Sequence, residues 1–116
     1  MGQEGLLGAF EEQVMLAIAR GRSEAYGMTV RRDIEERSGR SVSIGAVYAT
    51  MERLAAKGLI AAHAGDPAVA RKGRARKYFA LEEAGARALL RAREVHAQMW
   101  EGVDLSHLAQ DSGTAG

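Results

Sequence analysis

The stretch GRSVSIGAVYATMERLAAKGLI (residues 39–60) decides the fold, because it predicts a helix with recognisable signals at both ends. The helix is expected over residues 44–57. Ser43 is the expected N-cap, since its hydroxyl accepts a hydrogen bond from a backbone N–H of the first turn. Gly58 followed by Leu59 predicts a Schellman ending, because glycine adopts the left-handed conformation without steric cost and leucine packs back onto the helix.

Two further helices are predicted upstream. Apolar residues recur at helical spacing over residues 5–20, and a shorter helix over residues 28–38 ends at Gly39. Only about five residues, 39–43, join the second helix to the third, a spacing typical of a helix-turn-helix.

The pattern downstream is that of two short strands and a long helix. Residues 59–63 and 77–81 are strand-like, and residues 65–75 between them are expected to form a hairpin loop. The last helix runs from Glu83 to about Leu105, so its roughly 23 residues would span about 34 Å.

The predicted fold class is therefore mainly α with a small β-hairpin. A winged helix-turn-helix DNA-binding domain is expected over residues 1–82, a long C-terminal dimerisation helix over residues 83–108 and a disordered tail over residues 109–116.

Composition excludes several classes of protein. With no cysteine, the chain has no disulfide, cysteine-ligated zinc or thiol catalysis. No apolar run approaches the ~18 residues of a membrane span and no signal peptide is visible, so we expect a cytoplasmic protein. The net charge is only +1, but residues 41–80 carry seven cations against two acids, and this middle third is suited to a polyanion.

The third predicted helix and the hairpin loop carry the candidate DNA contacts. Small side chains on the exposed helix face allow close approach to a groove, and the loop clusters cations next to Gly73. The candidates are Ser43, Gly45, Ala46, Tyr48, Ala49, Arg53, Arg71, Lys72, Arg74 and Arg76. Either signal alone fits an ordinary solvated surface, and Glu52 on the same face would repel phosphate; the conjunction favours DNA.

Six segments resemble the PadR-type transcriptional regulators. They are AYG (25–27), VSIGAVY (42–48), MERL (51–54), KGLI (57–60), GR (73–74) and KYFAL (77–81). The resemblance runs from about residue 6 to residue 90. One departure is Glu82, where the family commonly has threonine, which weakens the expected cap of the last helix.

The resemblance implies a bacterial, homodimeric winged-helix repressor. The third helix would enter the major groove of a pseudo-palindromic operator and the wing would contact flanking backbone. The C-terminal helix would pack beside the first helix of the partner subunit. Some relatives release DNA when a phenolic acid or a planar, drug-like molecule binds at the dimer interface.

An apolar stripe on the last helix predicts a dimer independently, since a three-helix core cannot cover its length. The expected interface residues on this helix are Leu89, Ala92, Val95, Met99, Trp100 and Val103, and the resemblance adds Leu7, Phe10 and Val14 of the first helix. The alternative is that the stripe folds back as core of the same chain. Trp100 and His96 are candidate contacts for a planar aromatic effector, although a tryptophan there is more often a plain interface anchor.

Rival functions have less support. The three histidines lie on different elements and no catalytic constellation or phosphate-cradling glycine motif is visible, so we expect no enzyme and no cofactor. A metal site from His96, Asp104 and His107 is a remote alternative, because only the last two share a helix face. The main alternative is a winged-helix module that binds proteins and no DNA.

Overall fold

The computed structural model describes residues 7–65 and 76–109 of the 116-residue chain, and its element order is the predicted one. The elements are α1 (Ala9–Gly21), α2 (Gly27–Ser38), α3 (Ile44–Ala56), β1 (Ile60–Ala64), β2 (Lys77–Leu81) and α4 (Glu83–Trp100). The segment 66–75, which holds most of the predicted hairpin loop together with Arg71, Lys72 and Arg74, lies outside the described residues, as does the end of the chain from residue 110.

The hydrophobic core forms where α1, α2 and α3 meet the inner face of the hairpin. Its larger members are Val14, Met15, Ile18, Val30, Ile34, Val47, Met51, Leu54, Ile60 and Phe79. Burying each such side chain stabilises the fold by about 1.5–3 kcal/mol. Thr50, which the helical pattern did not assign to the core, is also buried, and its hydroxyl accepts a hydrogen bond from Arg53 at 3.3 Å.

The predicted ends of α3 are confirmed. The Ser43 hydroxyl accepts the Ala46 N–H at 3.0 Å. Gly58 has φ +77°, and the N–H groups of Gly58 and Leu59 donate to the carbonyls of Ala55 and Leu54, both at 3.0 Å, as the Schellman motif requires. These bonds fix where α3 stops and where the chain turns into β1.

The two strands pair antiparallel in one register, from Ile60 opposite Leu81 to Ala64 opposite Lys77. β1 begins one residue later than predicted, because the Leu59 N–H completes the end of α3. On the other edge of β2, the Phe79 N–H donates to the Ala25 carbonyl at 2.8 Å. The hairpin is therefore tied directly to the segment that precedes α2.

The helix starts differ slightly from the prediction. α1 begins at Ala9 and not at residue 5, because Gly8 takes an extended conformation and its N–H donates to the Glu11 carboxylate at 3.0 Å. α2 includes Gly27, one residue before its predicted start. α4 starts at Glu83 as expected, and Glu82 makes no side-chain cap bond.

The predicted length of α4 is wrong. The helix has 18 residues, about 27 Å at 1.5 Å per residue, and ends at Trp100 where about Leu105 was expected. Gly102 takes φ +80°, and Asp104 accepts both the N–H and the hydroxyl of Ser106 in a new turn. Within the described residues no helix is long and apolar enough to span a membrane.

Candidate nucleic-acid interface

The outward face of α3 is exposed and small. Gly45, Ala46 and Ala49 all face solvent, as the sequence predicted, and no atom lies within 4 Å of the place where a Cβ on Gly45 would stand. Ser43 is exposed at the start of the same helix, with its hydroxyl engaged in the cap bond. This face lets another surface approach the helix backbone closely.

Tyr48 lies at the rim of this face and leans on the start of α2. The residue is 46% exposed, and its ring passes so close to Gly27 that a Cβ there would stand 2.4 Å from Cζ and 2.5 Å from the hydroxyl oxygen. Any side chain at position 27 would displace the tyrosine. The Tyr48 ring and its hydroxyl therefore occupy a space that is open only because residue 27 is glycine.

Arg76 is the one wing candidate among the described residues. It contacts Tyr26, the residue that precedes Gly27. Its guanidinium carbon lies 4.2 Å from the centroid of the Tyr26 ring, over the ring face. The Tyr26 ring meets Tyr78 edge-on at 5.7 Å, and His63 stacks on Tyr78 at 5.9 Å. These contacts form an aromatic cluster near the loop end of the hairpin strands, defined by Tyr26, Tyr78 and His63.

Tyr26 and Gly27 are consecutive residues, and together they join the two candidate elements. The ring of Tyr48, from α3, lies against Gly27. The guanidinium of Arg76, from the hairpin, lies over the ring of Tyr26. The rim of the α3 face and the loop end of the hairpin strands therefore each contact this short segment before and at the start of α2. Neither Tyr26 nor Gly27 was among the site residues predicted from the sequence.

Arg53, also a predicted DNA contact, is shared with an acid. Its Nε lies 4.0 Å from a Glu11 carboxylate oxygen, which also accepts a hydrogen bond from Lys57 at 3.0 Å. The Gly8 N–H, and after it the two cations, hold the pKa of Glu11 below its ordinary value, so the carboxylate stays ionised. The positive charge at the end of α3 is therefore partly balanced from α1.

The expected interface residues divide into three groups. Met99, Trp100 and Val103 are 73%, 59% and 46% exposed, so these apolar side chains are left uncovered by their own chain. Leu7, Phe10, Leu89 and Val95 are half-buried, the first three against the core. Val14 and Ala92, at 0% and 3%, are covered by their own chain, so assigning them to the interface was wrong. Helical periodicity cannot separate two apolar faces of one helix that meet different neighbours.

His96, the second candidate effector contact, faces α1. Its Nε2 lies 3.3 Å from a Glu12 carboxylate oxygen, so α4 is joined to α1 one turn before Trp100. Asp104 bonds Ser106, and among residues 7–65 and 76–109 no three acidic or histidine side chains gather as metal ligands.

Comparison with known proteins agrees with the resemblance. The model of the family described as "Transcriptional regulator PadR-like family" matches residues 15–91. None of the curated proteins matches this chain significantly.

Solved structures with this fold come from several organisms. A PadR-like transcriptional regulator from Bacillus cereus is 21% identical with a TM-score of 0.69, over 89% of this chain and 93% of that chain. A PadR-like transcription factor from Bacteroides fragilis is 21% identical with a TM-score of 0.68, over 81% and 85%. RosR from H. salinarum is 20% identical with a TM-score of 0.64, over 95% and 96%. Since RosR is archaeal, a bacterial origin for this chain stays a prediction.

Proposed function

The chain belongs to the PadR-like family of transcriptional regulators, whose members bind DNA, and from this premise we propose that it is a homodimeric, sequence-specific repressor. In the proposal α3 reads the major groove of a pseudo-palindromic operator and the hairpin contacts the flanking phosphates. A planar aromatic effector that stacks on Trp100 beside His96 releases the DNA.

The observation that supports the DNA assignment most is the junction at Tyr26 and Gly27. There the Tyr48 ring lies against Gly27 and the Arg76 guanidinium lies over the Tyr26 ring, one from each candidate element. A hydroxyl and a guanidinium are both donors to phosphate oxygens, and such contacts fix the register of a protein on a duplex. The exposed side chains at the start of α3 are small and neutral, which allows close approach to a groove.

The rival function, a winged-helix module that binds another protein, is favoured by one observation. The first two turns of α3 present no cation, so this face alone has little attraction for DNA. Genomic fragments selected on the purified chain separate the two proposals. We expect one enriched duplex with two footprinted half-sites about one helical turn apart. Recovery of no fragment above the level of a resin without the protein, at low and at physiological salt, would favour the protein-binding module.

The exposed end of α4 leads to a prediction about assembly. Because Met99 and Val103 are exposed apolar residues one turn apart, the double variant Met99→Asp/Val103→Asp should place two carboxylates in the proposed interface and yield monomers. Sedimentation equilibrium measures the mass. Arg87→Asp/Arg91→Asp, at exposed positions of α4 outside the proposed interface, is the control and should remain dimeric. Dimers that persist in the first variant would place the interface elsewhere.

A further inference from the structure

Arg76 is held through its side chain and through its backbone at the loop end of the hairpin strands. Its guanidinium lies over the Tyr26 ring, 4.2 Å from the centroid, and its backbone carbonyl accepts the Gly65 N–H at 2.9 Å. Other arginines of the described residues, such as Arg20 and Arg37, pair with a carboxylate. No carboxylate of residues 7–65 or 76–109 lies within ion-pair distance of Arg76, whose neighbour is an aromatic face.

The Tyr26 ring is itself well fixed. The Tyr26 N–H donates to the Thr29 hydroxyl at 3.0 Å, and the Tyr26 carbonyl accepts the Val30 N–H at 2.9 Å. The ring edge rests on Tyr78, with the two ring planes at 83°. A ring anchored through its backbone and through a neighbouring ring is a rigid support for a cation.

A cation over an aromatic face keeps its hydrogen-bonding capacity. The five N–H groups of a guanidinium lie in its own plane and form a fork that fits two phosphate oxygens, and the face of an aromatic ring supplies no oxygen acceptor to that fork. Arginine loses rotamer freedom when it binds, and a side chain already held in place loses less of it.

We propose that Tyr26 is a positioning residue for DNA binding, which holds the Arg76 guanidinium in place for a phosphate of the bound duplex. The inference rests on the proposed function and adds a residue that touches no DNA itself. In this proposal the Arg76 guanidinium is ordered before it meets a phosphate, and its contribution to DNA affinity depends on the face of the Tyr26 ring.

A double-mutant cycle on a 30-base-pair duplex, bound at several salt concentrations, tests this role. Arg76→Ala should weaken binding about tenfold and lower the salt slope by about 0.9, one phosphate contact. Tyr26→Leu should weaken it about three- to fivefold, the range of an exposed cation–π contact. In the Arg76→Ala background the same Tyr26→Leu change should have no further effect. Tyr26→Phe, which keeps the ring, is the matched control and should bind as the wild type does.

Two results would overturn the inference while leaving the proposed function intact. One is an unchanged affinity in Tyr26→Leu; the other is an equal loss from Tyr26→Leu with and without Arg76, which would show a structural effect only. A wild-type chain that binds no duplex, even at low salt, would overturn the proposed function and the inference together.

A second series keeps the test decisive if Tyr26→Leu does not fold. Phenylalanines with increasing numbers of ring fluorines keep the shape of the ring but progressively weaken the negative electrostatic potential of its face. Incorporated at position 26, they should lower DNA affinity stepwise in the wild-type background and not at all in the Arg76→Ala background. Equal affinity across the fluorinated series would overturn the proposal.

Discussion

Ala49→Glu is expected to abolish operator binding, with a loss of affinity of more than about a hundredfold. Ala49 is exposed on the outward face of α3, close to the small side chains that would lie against the bases. A glutamate there is too long for close approach and directs a carboxylate at the phosphates, and such like-charge contacts cost several kcal/mol. Fluorescence anisotropy on the selected operator measures the change.

Ala19→Glu is the matched control for this prediction. It adds the same side chain at an exposed position of α1, outside the proposed DNA face and the proposed dimer interface. We expect it to bind the operator within about twofold of the wild type. The helical circular dichroism of both variants should match the wild type. An Ala49→Glu chain that is folded and still binds would show that α3 does not enter the groove.

Gly85→Ala is expected to lower the free energy of unfolding by about 2–3 kcal/mol. Gly85 is buried in the first turn of α4, and a Cβ there would stand 2.1 Å from the Leu59 carbonyl oxygen. That oxygen is backbone, and it accepts the Glu82 N–H at 2.9 Å, so it cannot move aside without breaking a bond. α4 would have to lift away from the end of α3. Urea denaturation measures the loss.

The control is a second helical glycine, Gly45→Ala. Nothing lies within 4 Å of the new methyl group there, and because Gly45 is in the first turn of α3, replacing it by alanine should stabilise the helix by less than the ~1 kcal/mol of an interior position. The two variants should therefore shift the unfolding midpoint in opposite directions. If Gly85→Ala were as stable as Gly45→Ala, the close packing of α4 on Leu59 would be incorrect.

Structural features that depend only on neighbouring residues could be predicted from the sequence. The cap at Ser43 and the ending at Gly58 each depend on hydrogen bonds within one turn, so residue type and spacing are sufficient. The order of elements followed in the same way. The end of α4 was predicted wrongly, because the apolar stripe continues past Trp100 although the helix ends there.

Long-range contacts explain the rest. The approach of Arg76 to Tyr26 joins residues 50 positions apart, and no spacing rule relates them. The sequence marked the tyrosine only as part of a short Tyr-Gly segment before α2. Val14 was assigned to an interface because its helix is apolar on more than one side, and only the packing of the chain shows which side is core.

The partial neutralisation of α3 by Glu11 bears on how such a regulator would search a genome. The helix proposed to read DNA, α3, has a neutral first half, and the cations at its far end are shared with an acid of α1. Every genomic position attracts a strongly cationic helix alike, and the millions of wrong positions then hold most of the copies. With this partial neutralisation, α3 would add little to such non-specific attraction, which would rest on the cations of the hairpin.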